Sequence, residues 1–463
     1  MVRIIGSAIA LILALGLLPA VSANGAPTDS ADSAPLTPVL SARRLPEVLL
    51  SGPADPRLTA ALDSYFSKTA GTACAVVVQA GRIIYSRNQG DSLAPASTIK
   101  LLTGLAALDV LGEETRLTTR MVSAAEPVDG VVGGDLTIIG SGDPLLVTRG
   151  YKKSLENPDQ VTEDFGAVAD AVVAAGIREI TGSIIGDESG LDRTRWIPSW
   201  PTRYQIGGVV GPLSALMVND GQTGFVTEPD MPNADRRPGD AAALAAATLR
   251  TLLIDRGVVV GGSSDTGRAP DDAFEVASFD SLPIRDIVGE MVSDSDNTTA
   301  ELLTRLIGRE ASGVGTTEAG LLAIRDSLRS IGLNVDDLVM VDGSGLDTSN
   351  RVTCGLLMET LEQLPPDGAV TAGLAVAGRA GTLRKRLLDS PATAKVRAKT
   401  GTLATVNALA GFADPKAGSP LTFAMIQNGS DPRGTAVADG FAERVVLFGE
   451  GRRLDALLPR TDR

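Results

Sequence analysis

Pro95-Ala96-Ser97-Thr98-Ile99-Lys100 stands directly before an apolar run that ends at Leu111, and Gly112 stops it. The pattern predicts a helix over 97–111 with Ser97 and Lys100 in its first turn. Residues three apart share a helix face, so a hydroxyl and an amine project together from one end of a helix. Two more short polar motifs follow. Ser295-Asp296-Asn297 lies at the junction of helices predicted over 284–292 and 298–307, and Lys399-Thr400-Gly401-Thr402 opens a strand pair predicted at 406–412 and 421–427. Lysine is scarce, with eight in 463 residues, and two of the eight stand in these motifs.

The chain contains no histidine. That excludes Ser-His-Asp and Cys-His catalysis, His-ligated metals and a His pH switch. Acid–base work falls to Lys, Asp, Glu, Tyr or water. A serine hydroxyl is a weak nucleophile without an adjacent base, and Lys100 is placed to be that base. It must be neutral near pH 7, and burial or a second cation such as Lys399 lowers a lysine pKa. Ser295 is the candidate to pass a proton to a leaving amine. Asn297 is the candidate to hold a substrate amide, and the N–H groups of Ser97 and Thr402 are the natural oxyanion donors.

Outward from these motifs the chain reads as split. Before Ser97 come a helix over 57–68 and strands at 73–79 and 82–87. From residue 284 on come helices at 284–292, 298–307, 319–331 and 354–364, the strand pair and a last helix at 435–448. Between them, 117–285 alternates short β-like pieces with Ala-rich helices at 165–175 and 241–255. This gives a region formed by 56–116 with 286–450, an inserted region at 117–285, and a tail at 451–463. The N-terminus carries Arg3, an apolar run from Ile4 to Leu18, and Val21-Ser22-Ala23, the pattern of a secretory signal peptide over 1–23. An uncleaved membrane tether is the alternative. A linker rich in Ala, Pro, Ser and Asp spans 24–55. Both readings put the rest of the chain in an extracytoplasmic compartment, where Cys74 and Cys354 either pair or remain buried thiols. A formal charge of −14 argues against a nucleic-acid partner.

The motifs, with Ala300-Glu301-Leu302-Leu303, Asp342-Gly343-Ser344-Gly345-Leu346 and Ala398 to Leu403, resemble the D-alanyl-D-alanine carboxypeptidase/endopeptidase family typified by low-molecular-mass class C penicillin-binding proteins. The resemblance runs from about residue 55 to 450. It implies an α+β, multidomain fold: a β-lactamase/transpeptidase-like domain, an antiparallel sheet flanked by helices, split by a large insert. It also implies a serine hydrolase acting on peptidoglycan stem peptides through an acyl-enzyme on Ser97, inhibited by β-lactams. Ser97, Lys100, Ser295 and Lys399 are then catalytic, and Asn297, Thr400, Gly401 and Thr402 bind substrate. Gly142-Asp143-Pro144 is also familial, and Asp143 is expected near the substrate amino group. No metal or organic cofactor is implied: the stretch after Asp294 has Thr299 and Arg305 where a calcium loop needs Gly and Glu. Two rivals are a β-lactamase or esterase on the same frame and a silent cell-wall-binding module. The family often has Gly-Leu-Ser-Arg after the Asp-Gly-Ser motif, and its arginine lies near the diaminopimelate end of the substrate. Here Leu346-Asp347-Thr348 follows. The expectation is therefore a weak preference for a free diaminopimelate carboxylate, unless Arg351 reaches the same spot.

Overall fold

The computed structural model describes residues 56–223, 239–415 and 419–450, so the signal-peptide, linker and tail assignments lie outside the described residues. Along the chain, helix α1 (Pro56–Phe66) leads into strands β1 (Thr72–Gln79) and β2 (Arg82–Arg87). A short 3₁₀ turn over Ala96–Ile99 then passes into α2 (Lys100–Leu111). Next come β3 (Arg116–Ser123), β4 (Leu136–Ile139), α3 (Gly166–Ala174), β5 (Ile184–Asp187), α4 (Ala241–Asp255), β6 (Ser264–Thr266) and β7 (Phe274–Pro283). Four helices follow: α5 (Ile284–Asp294), α6 (Asn297–Ser312), α7 (Thr317–Ser330) and α8 (Cys354–Gln363). The chain closes with β8 (Ala375–Val376), β9 (Val396–Leu403), β10 (Val406–Ala413), β11 (Leu421–Asn428) and α9 (Ala436–Glu450).

Both ends of this stretch build one antiparallel sheet of order β8-β9-β10-β11-β1-β2. Successive strand residues point to opposite faces, and here both faces are covered. Cys74, Val76 and Val78 of β1 pack toward α2, α5 and α8 in one core. Ala73, Ala75 and Val77 pack toward Leu62 and Phe66 of α1 and Phe441 of α9 in a second. Helix α2 is mostly apolar and largely buried, and Leu101, Leu102, Ala106 and Ala107 are fully enclosed. Within the first core Cys74 and Cys354 form a disulfide that ties β1 to α8, which resolves the alternatives the sequence left open.

A second sheet, of order β6-β5-β4-β3-β7, belongs entirely to the stretch from Arg116 to Pro283. Helices α3 and α4 cover it through Val168, Ala169 and Val172 and through Ala242, Ala246 and Leu249. Among the described residues no strand of this stretch enters the six-stranded sheet. Strands β3, β6, β7, β8 and β9 were not predicted. Strand β3 hides its alternation because buried Thr119 occupies the inward face between Leu117 and Met121. Strand β7 is mostly exposed or half-buried and carries Glu275 and Asp280. In β9 the buried residues include Lys399 and Thr400, so it does not look like a core strand.

The disulfide closes a sequence separation of 280 residues. Long closed loops carry the larger entropic gains. A Cys74→Ser/Cys354→Ser chain is expected to lose about 2–4 kcal/mol of stability, read as a lower denaturation midpoint in urea. An unchanged midpoint would contradict the contribution assigned to this cross-link.

Candidate active site

The nucleophile candidate sits at a forced turn. Ala96 has a left-handed φ of 46°, which swings Ser97 out at the start of the 3₁₀ turn. Gly345, φ 87°, packs against this bend so closely that a Cβ there would lie 2.1 Å from the Ala96 carbonyl oxygen. Gly401 passes the same bend, and a Cβ on it would meet the Pro95 carbonyl oxygen at 2.7 Å. The two glycines therefore let the loop after Asp342 and strand β9 close on the serine from two sides.

Lys100 is fully buried. Its Nζ lies 3.1 Å from Ser97 Oγ, 2.8 Å from Asn297 Oδ1 and 2.6 Å from the Ser344 carbonyl oxygen. The last two can only accept. A neutral amine spends its two N–H groups on them and is left with a lone pair directed at the serine hydroxyl. Burial is the largest influence on Lys100 and pulls its pKa down to about 8, against the upward pull of Asp342, Glu301, Asp296 and Glu290. Lys399 is also fully buried. Burial first, and Lys100 second, hold it well below the usual lysine value. Its Nζ donates to Ser295 Oγ at 2.7 Å and to the Thr400 carbonyl oxygen at 3.1 Å.

The Ser-Asp-Asn motif is a helix break. Ser295 is left-handed, φ 62°, at the end of α5. Asp296 caps α6 by accepting the Thr299 N–H at 2.9 Å. This sharp turn delivers Ser295 to Lys399 and Asn297 to Lys100. The Asn297 amide donates to the Val209 carbonyl oxygen at 2.8 Å, and the Gly211 N–H donates to Thr298 Oγ1 at 3.0 Å, so the 203–211 segment is fastened to the motif. Asp342 anchors the opposite wall by accepting from Trp200 Nε1, Asn350 Nδ2 and the Gly345 and Asp347 amides.

These groups surround a cleft of about 730 Å³ lined by Ser97, Ser295, Asn297, Thr400 and Thr402. Thr400 Oγ1 also shares a hydrogen bond with Thr382 Oγ1 at 2.8 Å. Arg203, Tyr204 and Arg386 line the cleft as well, and sequence reading missed all three because no motif carries them. Arg386 is ion-paired with Asp439 at 2.7 Å. The Arg203 guanidinium stacks over Tyr204, 5.0 Å from the ring centroid.

Two residues singled out in the sequence lie away from the cleft. Asp143 does not line the cleft. It is buried, accepts the Leu145 N–H at 2.9 Å, and faces Glu163. Burial raises both carboxyls above their usual values, and Glu163 keeps the proton it shares with Asp143. Arg351 does not replace the missing family arginine, because its Nη1 donates to the Thr348 and Asn350 carbonyl oxygens and it does not line the cleft.

The chain matches the D-Ala-D-Ala carboxypeptidase 3 (S13) family over residues 58–235 and 231–446, and it belongs to that family. It is 30% identical over 442 residues to the D-alanyl-D-alanine carboxypeptidase of Actinomadura sp. (strain R39), covering 80% of this chain and 79% of that protein. It is 31% identical over 366 residues to carboxypeptidase DacB of Mycolicibacterium smegmatis, covering 76% of this chain and 74% of that one. In fold it is similar to penicillin-binding protein 4 from Haemophilus influenzae, with a TM-score of 0.69, 20% identity, and coverage of 83% of this chain and 98% of that one.

The Asp143–Glu163 pair has a stability consequence. A carboxyl whose pKa is raised by folding binds more protons in the native state, so stability falls as pH rises above the usual glutamate value of 4.5. Glu163→Gln removes the titrating proton and is expected to flatten the fall in Tm between pH 5 and 8. An equally steep fall in the variant would show that other groups cause it.

Proposed function

We propose that this peptidase is a serine-type D-Ala-D-Ala carboxypeptidase of peptidoglycan stem peptides in which Ser97 is the nucleophile and Lys100 its base. The observation that carries the reading is the buried Lys100 amine, with two carbonyl-type acceptors fixing its protons and Ser97 at 3.1 Å. Lys100 takes the hydroxyl proton as Ser97 Oγ attacks the carbonyl between the terminal D-alanines. The Ser97 and Thr402 N–H groups stabilise the tetrahedral oxyanion. Ser295, held by Lys399 at 2.7 Å, relays the proton taken up by Lys100 to the departing amine and so keeps its own hydroxyl. Water, giving its proton to the Lys100 amine so freed, then hydrolyses the acyl-enzyme and restores Ser97. Thr400 and Thr402 line the leaving-group side, and Asn297 exchanges its bond to Val209 for the substrate amide. A β-lactam acylates the same serine. Action on peptidoglycan places the enzyme outside the cytoplasm, with residues 1–23 as its export signal or tether. Among the described residues no helix is long and apolar enough to cross a membrane. The stretch 117–285 shapes access to the cleft through Arg203, Tyr204 and Val209.

In place of the weak preference expected from the missing motif arginine, Arg203 sets the specificity in this reading. The cleft presents two arginines and no acid, and only Arg386 has a carboxylate partner among the described residues. Arg203 lies on the Asn297 side, where the 203–211 segment is fastened, so it suits the free side-chain carboxylate of an acyl-donor peptide.

Mass spectrometry with peptide mapping after penicillin exposure is expected to find a covalent adduct on Ser97. Lys100→Ala should slow its formation by about 10²–10⁴-fold with circular dichroism unchanged. A label elsewhere, or wild-type acylation by Lys100→Ala, would overturn the assignment.

The specificity reading predicts a higher kcat/KM on a stem peptide with a free third-residue carboxylate than on its amide, by roughly 10–150-fold for a charge-assisted contact of about 1.5–3 kcal/mol. Arg203→Gln should bring the ratio near one. A ratio that is near one already in the wild type, or that survives in the variant, would remove Arg203 from recognition.

A further inference from the structure

A second cavity, of about 420 Å³, shares no lining residue with the catalytic cleft. It lies where β3 and the end of β4 meet the C-terminal turns of α6. Three arginines line it: Arg116 and Arg120 from β3, and Arg309 from α6. Glu310 is the single acid in its wall. This is a concentration of positive charge in a chain whose net charge is −14.

The three guanidiniums are poorly compensated. Among the described residues none is in an ion pair, whereas Arg195, Arg256, Arg305, Arg386 and Arg433 each hold a carboxylate. Arg116 donates to the Ser281 carbonyl oxygen at 2.6 Å and Arg309 to the Ser141 carbonyl oxygen at 3.3 Å. Each bond uses one of five N–H donors. Arg309 is half-buried, and burial pushes its guanidinium below the usual value. Exposed Glu310 offsets that effect only in part; a cation withdrawn from water and incompletely compensated is costly, and the cost is relieved when an anion enters. Ser141 and Ser189 add hydroxyls to the wall.

We infer that the cavity walled by Arg116, Arg120 and Arg309 is a binding site for a phosphate-class oxyanion, separate from the peptidase cleft. Two elements bring three arginines to the wall of one space. One fork already satisfies a carboxylate, while a phosphate has enough acceptor oxygens to engage more than one. A free phosphate and a phosphodiester in a polymer share this chemistry. The site stands independently of the roles given to Ser97 and Lys100, because its occupancy is read without substrate.

The test is calorimetric titration of the full chain with inorganic phosphate, with glycerophosphoglycerol as a diester, and with succinate, all at constant ionic strength set with chloride. Saturable binding of either phosphate, weakened at least tenfold in Arg120→Gln and in Arg309→Gln, is expected. Arg329→Gln, which alters an exposed arginine paired with Asp326, should bind as the wild type does. Tighter binding of the diester identifies a polymer as the source, and tighter binding of inorganic phosphate the free ion. Arg120 is exposed, so its variant stays informative if Arg309→Gln fails to fold, as judged by circular dichroism. No saturable binding, undiminished binding in Arg120→Gln, or equal binding of succinate would overturn the inference.

Discussion

The architecture turns on holding one amine dry. With no histidine in the chain, a proton acceptor for Ser97 has to be made by lowering a lysine pKa, and burial is the strongest means available. That need explains the surroundings of Lys100. An apolar helix carries it, the Asp342–Leu346 loop supplies a carbonyl oxygen, the Ser-Asp-Asn turn supplies an amide oxygen, and strand β9 covers the site with a second buried lysine. Each wall comes from a distant part of the chain, so the fold must bring all four together before the amine can work.

Closing these walls leaves signs in the backbone. Ala96 and Ser295 adopt left-handed conformations that cost a non-glycine residue energy, and both lie at the reacting groups. Gly345 and Gly401 are small because the strand and loop touch the Pro95–Ser97 backbone. Buried acids offset part of the effect. Asp342 is raised by burial yet receives four hydrogen bonds, and it, Glu301 and Asp296 draw the Lys100 pKa upward. The amine is therefore poised near physiological pH rather than neutral at every pH.

Much of this was legible in the sequence. Ser97, Lys100, Ser295, Asn297, Lys399 and Thr400 stand in short motifs whose spacing and residue scarcity mark them, and the structure brings them around one cleft. What was hidden depends on tertiary neighbours. Arg203 and Tyr204 follow no pattern and reach the cleft only because Asn297 and Thr298 fasten their segment. Asp143 stands in a familial motif and faces Glu163 rather than the cleft, a neighbour distant enough in sequence to leave no local signal. Trp200 stands in no motif, yet it is buried and gives its N–H to Asp342. The second sheet was partly missed because its inward positions include Thr119 and its last strand is largely exposed.

The most direct test of the account is the second-order rate of Ser97 acylation by penicillin as a function of pH, in a range where circular dichroism shows the chain folded. A neutral Lys100 with its pKa pulled down to about 8 predicts a rate that climbs about tenfold per pH unit below 8 and levels off above it. A rate independent of pH from 6 to 9 would show that the buried amine is not the base.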